Sequence, residues 1–360
     1  MPPTTHIAPR KAKLFSCLLL LPILVSCGVL SPLPVPTATA TVSPTVSATA
    51  TLSPTATPAP TSTPTQVPVL CGGPSTMFIL LVGSDARSDS YKVGLSDSMR
   101  VVRLDFTVPS VQVLTFPRDL YVEIPGISDH YNITHGKLNQ AFLYGNPGYN
   151  YYDGPGRGAG LLALTLDKNF GAQVDHYAAV NIKTFVRIVD ELGGIDIDLP
   201  YTVDGRVKRS KDPNRYFPAG KQHLNGYRTM LLARMRPGGD IQRIETQNLV
   251  LQTMAEKLIS PSSVLELPRL IQTFRESVQT DLGPAEFAQL LCLRTKLDQQ
   301  NILYGNFPAT LFKNGRVHDP VLGNTSILEA DFNVLRRYVS RFNQGDWPRK
   351  HADPQGLLDP

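Results

Sequence analysis

Between Lys13 and Asp85 the chain carries no charged residue. A folded domain needs charge on its surface, so the folded part starts late. Over all 360 residues the formal charge is only +5, too mild to suggest a nucleic-acid partner by itself. No internal repeat is visible, and no basic recognition helix stands out. With 42% apolar residues, a core of ordinary size is within reach.

Two segments fill the uncharged gap. Arg10, Lys11 and Lys13 precede the apolar run LFSCLLLLPILVSC, which ends at Cys27. A basic start followed by about a dozen apolar residues reads as an export signal, too short to span a bilayer comfortably. Leu24-Val25-Ser26-Cys27 has the form of a bacterial lipobox, so residues 1–27 read as a lipoprotein signal with Cys27 as the lipidated residue. A short membrane anchor or an ordinary signal peptide is the plainer alternative. Residues 28–70 are almost wholly Pro, Thr, Ala, Ser and Val and cannot bury a core. Proline stiffens such a chain to about 3.1 Å per residue, so roughly 40 residues reach on the order of 100 Å. They form a tether that holds a domain away from a membrane. Cys71 and Cys292 remain in the exported part, where a disulfide is chemically allowed. Cys292 lies in the apolar run FAQLLCL, which also suits a buried thiol.

From Met77 the pattern is globular. MFILLVG reads as a buried strand, and SMRVVRLDF and VQVLTF as a strand pair split at Pro109-Ser110. HGKLNQAFLYG and GAGLLALTLDKNFG read as helices, the second stopping at Gly171. HYAAV is a strand, and NIKTFVRIVDELGG a helix capped by Asn181. IDIDLPY alternates as a strand, and two helices flank Gly238-Gly239. The remainder reads as two more helical stretches plus the strand NILYGNF, with residues 346–360 a frayed tail. Strands interleaved with helices predict one α/β domain over 77–345, a mixed central sheet with helices on both faces in three layers.

Three polar clusters fall where such a fold exposes chemistry, at strand ends and helix starts. In GSDARSDSYKVGLSDS, Asp85 ends one strand and Asp97 begins the next. Two carboxylates on adjacent strand ends, with phosphate oxygens, suit Mg²⁺; a solvated loop is the plainer reading. In FPRDLYVEIPG, Arg118 follows a strand and is placed to grip a phosphate bidentately, or simply to pair with Asp119. The stretch LARMRPGGDIQRIETQ holds Arg234, Arg236 and Arg243 around one acid, Asp240, and contains no lysine. Arg234 and Arg236 diverge by about 200° on a helix and can meet one ligand only where the helix ends. Asp240 is placed to cap the next helix and to orient Arg243, which shares a face with Gln247. A solvated helix hairpin is the alternative. Arginine without lysine favours a pyrophosphate ligand.

Ile79-Leu80-Leu81-Val82-Gly83-Ser84-Asp85, Ser96-Asp97-Ser98-Met99, Phe116-Pro117-Arg118-Asp119, Lys137-Leu138-Asn139, the stretch from Phe217 to Gly226, Ala233-Arg234-Met235-Arg236 and Asp240-Ile241-Gln242-Arg243 together resemble the LytR–CpsA–Psr (LCP) family. The resemblance runs in order over about 77–260. It implies a cell-envelope phosphotransferase that moves a glycopolymer from undecaprenyl pyrophosphate to peptidoglycan through a phosphodiester. By motif position Asp85 and Asp97 would hold Mg²⁺, and Arg118, Arg234, Arg236 and Arg243 the pyrophosphate. Asp240 would steady the arginines, Lys137 and Gln247 fall at polar site positions, and the prenyl chain would enter an apolar pocket between sheet and helices. In one departure, Leu95 stands where the family usually has arginine, so one phosphate contact is missing unless Arg87, Lys92 or Arg100 replaces it. Leu95 also keeps two further readings open: a lipoprotein that binds prenyl pyrophosphate or wall polymer without transfer, and a pyrophosphate hydrolase. The family's old name suggests a transcriptional regulator, but the export signal separates this chain from DNA.

Overall fold

The computed structural model describes residues 68–206, 212–236, 240–260, 267–320 and 322–349. The expectations for Cys27, for most of the tether, for the Gly238-Gly239 turn and for the chain after 349 lie outside these residues. Among them no helix is long and apolar enough to cross a membrane.

The elements, in chain order, are β1 (Thr76–Ser84), β2 (Ser96–Asp105), β3 (Ser110–Phe116), β4 (Tyr121–Glu123), β5 (His135–Lys137), α1 (Leu138–Gly145), α2 (Arg157–Phe170), β6 (His176–Asn181) and α3 (Ile182–Glu191). Then follow β7 (Ile195–Leu199), β8 (Val203–Asp204), β9 (Tyr216–Phe217), β10 (Gly220–Leu224), α4 (Gly226–Arg234), α5 (Asp240–Ile259) and α6 (Leu267–Ser277). The chain closes with β11 (Gln279–Thr280), α7 (Pro284–Lys296), β12 (Ile302–Asn306), β13 (Phe312–Asp319), β14 (Gly323–Ala330) and α8 (Phe332–Gln344).

The central sheet has six strands in the order β11-β6-β1-β2-β3-β12. It is mixed: β1 and β3 run antiparallel to β2, while β6 runs parallel to β1 and β12 parallel to β3. The unbroken apolar run of β1 is explained by burial on both faces. Phe78, Leu80 and Val82 join Met99, Val101, Leu114 and Phe116 in the core under α1, α2 and α8. Met77 and Ile79 face the other way, with Val102, Leu104 and Val113, toward Leu293 of α7. A third cluster packs α3, α4 and α5 on the β7–β10 hairpin. The three-layer α/β architecture expected from the sequence is the one observed.

Local signals account for many boundaries. Asn181 accepts the N–H of Thr184 and caps α3, and Gly171 ends α2 in the left-handed conformation at φ 70°. Two expectations are corrected. His135-Gly136-Lys137 is not helix but strand β5, paired with β4, because Leu138 is the first residue whose backbone turns. Among the described residues three α-helices follow α5 rather than two, and the hairpin β13–β14 has no counterpart in the expected elements. Its alternation places polar residues on the outer side, so periodicity shows little apolar stripe. The disulfide that the sequence allows between Cys71 and Cys292 is present, and the bridge ties α7 to the chain entering β1.

Candidate active site

The pairing registers put the ends of β1, β3, β6 and β12 and the start of β2 along one edge of the sheet. This is the edge where open α/β sheets bind ligands. Asp85 lies just beyond β1, Asp97 near the start of β2, and Arg118 just beyond β3.

On the face toward α1 these residues form a line of alternating charge. Arg118 Nη1 meets Asp97 Oδ1 at 2.5 Å, and its Nε meets Asp119 Oδ2 at 3.3 Å. Asp119 Oδ1 takes Lys137 Nζ at 3.1 Å. All four side chains are at least two-thirds buried, so the charges are held in partly dehydrated positions. The pairing of Arg118 with Asp119 considered from the sequence is therefore present, together with a second pairing to Asp97.

The opposite face carries a different group. Arg100, Thr115 and Asn306 stand in one row across β2, β3 and β12. All three converge on Asn248 of α5. Arg100 donates to Asn248 Oδ1 through Nε at 3.3 Å and Nη2 at 3.0 Å, Thr115 lies 3.5 Å from the same oxygen, and Asn248 Nδ2 donates to Asn306 Oδ1 at 3.0 Å. Arg100 also donates to Gln247 Oε1 at 3.3 Å and to Ser98 Oγ. Its guanidinium is fully buried and, among the described residues, pairs with no carboxylate. Burial pushes its pKa down to about 10, Tyr304 opposes the shift, and the like charge of Arg243 adds to it. Arg243 is itself 5% exposed. The helical spacing of Arg243 and Gln247 thus brings both to Arg100.

Gln247 links this group to a third. Its Nε2 donates to the carbonyl of Ala233 at 3.0 Å, at the end of α4. Arg234 and Arg236 follow there and line a cleft of about 420 Å³ with Arg206, Arg215, Asp204 and Met235. Asp204 holds Arg206 at 2.9 and 2.7 Å, and Arg206 lies 4.4 Å over the Tyr216 ring. The cleft has four arginines against one acid, so its field favours anions.

The structure therefore divides the expected site residues into three neighbouring groups rather than one cluster. Asp97, Arg118 and Lys137 are on one sheet face, Arg100, Arg243 and Gln247 on the other, and Arg234 and Arg236 in the cleft. Arg87 is exposed in the loop after β1 and is not part of any of them. α5 begins at Asp240, but the side chain of Asp240 lies outside the described residues. Leu95 is clasped by Asp85: the Asp85 N–H donates to the Leu95 carbonyl at 3.2 Å, and the Leu95 N–H to Asp85 Oδ1 at 2.7 Å. At the level of Arg100 the space between sheet and α5 is filled by a polar network.

A metal would have to rely on few protein ligands. Among the described residues no group of three or more His, Cys, Asp or Glu converges. Asp85 and Asp97 each keep one carboxylate oxygen outside their bonds to Leu95 and Arg118, and one or two carboxylates are what Mg²⁺ takes from protein when water and phosphate oxygens supply the rest.

Sequence reasoning missed Thr115, Asn248, Asn306, Arg206 and Arg215. One signal was readable. In β2, Arg100 shares a face with apolar Val102 and Leu104, and a charge at such a position calls for a partner.

Fold and site define a class: a three-layer α/β domain with arginine-rich anion sites along one sheet edge. Residues 48–322 match the LytR_cpsA_psr family, and the chain belongs to that family. It is 30% identical over 208 residues to the regulatory protein MsrR of Staphylococcus aureus (strain COL), covering 57% of this chain and 56% of MsrR. It is 27% identical over 211 residues to the polyisoprenyl-teichoic acid–peptidoglycan teichoic acid transferase TagV of Bacillus subtilis (strain 168), covering 58% of this chain and 50% of TagV. The chain thus spans about half the length of these curated relatives. The crystal structure of B. subtilis TagV superposes with a TM-score of 0.57 at 23% identity, covering 76% of this chain and 99% of that one. A structure of TagT bound to LIIa-WTA gives 0.56 at 21% identity, covering 76% and 91%. At these identities the likeness is one of fold.

Proposed function

We propose that the protein is a phosphotransferase that moves a glycopolymer from an undecaprenyl-pyrophosphate carrier to peptidoglycan through a phosphodiester bond. The observation that carries this reading is Arg100, a buried cation without a carboxylate, beside Arg243 and the arginine cleft. A diphosphate supplies the counter-charge that Arg100 receives from no carboxylate among the described residues. Transferase names among the family relatives support the same reading.

In the proposed reaction, a sugar hydroxyl of the acceptor attacks the phosphorus that carries the glycopolymer. The new P–O bond forms as the bond to the bridging oxygen breaks, and prenyl phosphate leaves with the electron pair. Asp85 or Asp97, each with one carboxylate oxygen already engaged, by the Leu95 N–H and by Arg118 respectively, takes the hydroxyl proton. Arg118, held by Asp97 and Asp119, and Lys137 present fixed positive charge to the equatorial oxygens. Arg100, Arg243, Arg234 and Arg236 take the remaining phosphate charge, with Gln247 setting Arg100 against the end of α4. Mg²⁺ held by Asp85 and Asp97 would neutralise charge on the diphosphate and its leaving group. The domain would work at the outer face of the cell membrane, tethered through lipidated Cys27.

The test uses the full chain in detergent with Mg²⁺, a prenyl-pyrophosphate-linked glycan and peptidoglycan oligomers. Arg118→Ala and Arg236→Ala are each expected to reduce transfer at least about 100-fold. Full transfer by both variants would overturn the proposal. Release of free polymer instead would identify a hydrolase. The clasped Leu95 favours one alternative, binding without transfer. In that case the wild type binds the carrier without turnover and Leu95→Arg restores it.

A further inference from the structure

Outside the charged groups, the densest cluster of unusual side chains is aromatic. His130 stacks on Tyr151 with ring centroids 4.2 Å apart and 10° between planes. Tyr151 also touches Tyr131 at 6.4 Å, Tyr144 at 5.6 Å and Tyr149 at 5.4 Å. Tyr144 is fully buried and anchors the group; its hydroxyl accepts from Gln140 Nε2 at 2.8 Å, and burial raises its pKa. Tyr131, by contrast, is 79% exposed.

The backbone holds that exposed ring out deliberately. Ile127 and Ile133 are buried on either side of the loop, and consecutive turns join Ile127 to His130 and His130 to Ile133. Tyr131 itself has φ 56°, a conformation in which a bulky residue is an outlier that its surroundings must enforce. Asn132 and Asn150 beside it share this geometry at φ 55° and 54°. Four of the six non-glycine residues with positive φ among the described residues fall between 131 and 157.

The platform is wired to the proposed site. Gln140, which holds Tyr144, accepts the backbone N–H of Lys137 at 2.6 Å. The Gly148 N–H donates to the Lys92 carbonyl at 2.8 Å, fastening the tyrosine loop to the loop between Asp85 and Leu95.

We infer that this aromatic surface docks the acceptor glycan strand, a neutral or weakly charged chain of pyranose rings, for the transfer proposed above, on which the inference rests. Aromatic faces stack on the C–H faces of pyranoses, and exposed Asn132, Asn150, Asp129 and Asp153 at the rim suit sugar hydroxyls. Charge separates acceptor from donor. Residues 127–134 and 144–156 contain two acids and no lysine or arginine, so these segments themselves offer a polyanion no cation, and Lys92 and Arg157 lie only at their margin. The arginine groups lie elsewhere along the edge.

The test is a fluorescence or NMR titration of the full chain with a soluble peptidoglycan glycan oligosaccharide, beside a titration with prenyl pyrophosphate. Wild type binds the saccharide saturably, Tyr131→Ala weakens it by about tenfold, and Tyr131→Phe stays within about twofold, because the ring and not the hydroxyl makes the contact. Prenyl-pyrophosphate binding is the same in all three. Absence of saturable saccharide binding by wild type, equal binding by Tyr131→Ala, or a loss in Tyr131→Phe as large as in Tyr131→Ala overturns the inference. Saccharide binding without any transfer counts against the transferase reading alone and leaves the docking surface standing.

Discussion

Arg100 shows at the residue scale how the proposed binding function would be stored as instability. A guanidinium held at about 10, well below its usual range, carries a penalty on the order of 3 kcal/mol, only partly offset by Ser98, Gln247 and Asn248. Because its folded pKa is depressed, the cost is fully present below pH 10 and fades as pH rises above about 10 toward the value of the unfolded chain. Arg100→Met is therefore expected to unfold at an equal or higher urea concentration at pH 8, with the gain over wild type shrinking by pH 11. The same variant binds pyrophosphate at least about tenfold more weakly. A variant that loses stability at pH 8 and keeps its pyrophosphate affinity would show that Arg100 is merely structural. Arg118 differs. Its acids offset part of its charge and fix its orientation before any ligand arrives, so it is an oriented contact more than a reservoir of charge.

Among elements, the segment between α1 and α2 stands out because it touches both sides of the proposed chemistry. It is fastened through Gly148, where a Cβ would collide with the Lys92 carbonyl oxygen. Backbone cannot yield as a flexible side chain does, so Gly148→Ala must push the tyrosine loop off its neighbour at a cost of about 1–3 kcal/mol. Saccharide binding and transfer are expected to fall several-fold while prenyl-pyrophosphate affinity is kept, measured by parallel titrations. The hairpin β13–β14 plays a bracing part nearby. The Leu328 N–H donates to the Asp119 carbonyl at 2.8 Å, and so steadies the residue that holds both Arg118 and Lys137. α5 supplies Arg243, Gln247 and Asn248 from a single face, which makes it the element that joins the buried cation to the sheet.

For the whole molecule, the bridge between Cys71 and Cys292 closes a loop of 221 residues that contains nearly every site element. Cross-linking so long a loop limits the unfolded chain, and its removal typically costs about 2–4 kcal/mol. Cys71→Ser with Cys292→Ser is expected to lower the denaturation midpoint accordingly, while transfer at a temperature well below unfolding stays unchanged. A loss of transfer in folded double variant would mean that the bridge shapes the site as well as the stability. Trp347, packed against Phe307 and Tyr338 near the other end of the chain, joins the core under α1, α2 and α8 on the opposite side of the sheet.

The fold class, the capped helix α3, the buried strand β1 and the residues that carry the charge were legible in the sequence, because periodicity, caps and the preference for arginine are local properties. The hairpin β13–β14 was not, since a strand pair with a mostly polar outer side leaves little apolar pattern. Nor could the sequence tell that Asp97 and Arg100, three residues apart on β2, serve opposite faces of the sheet. Strand alternation hints at that division, but only pairing with β3 and packing under α5 turn it into two separate binding groups. The partners of each charge, Asn248 for Arg100 and Asp97 for Arg118, come from segments far apart in the chain or across a strand gap. Such contacts depend on three-dimensional registry, which only the tertiary structure decides.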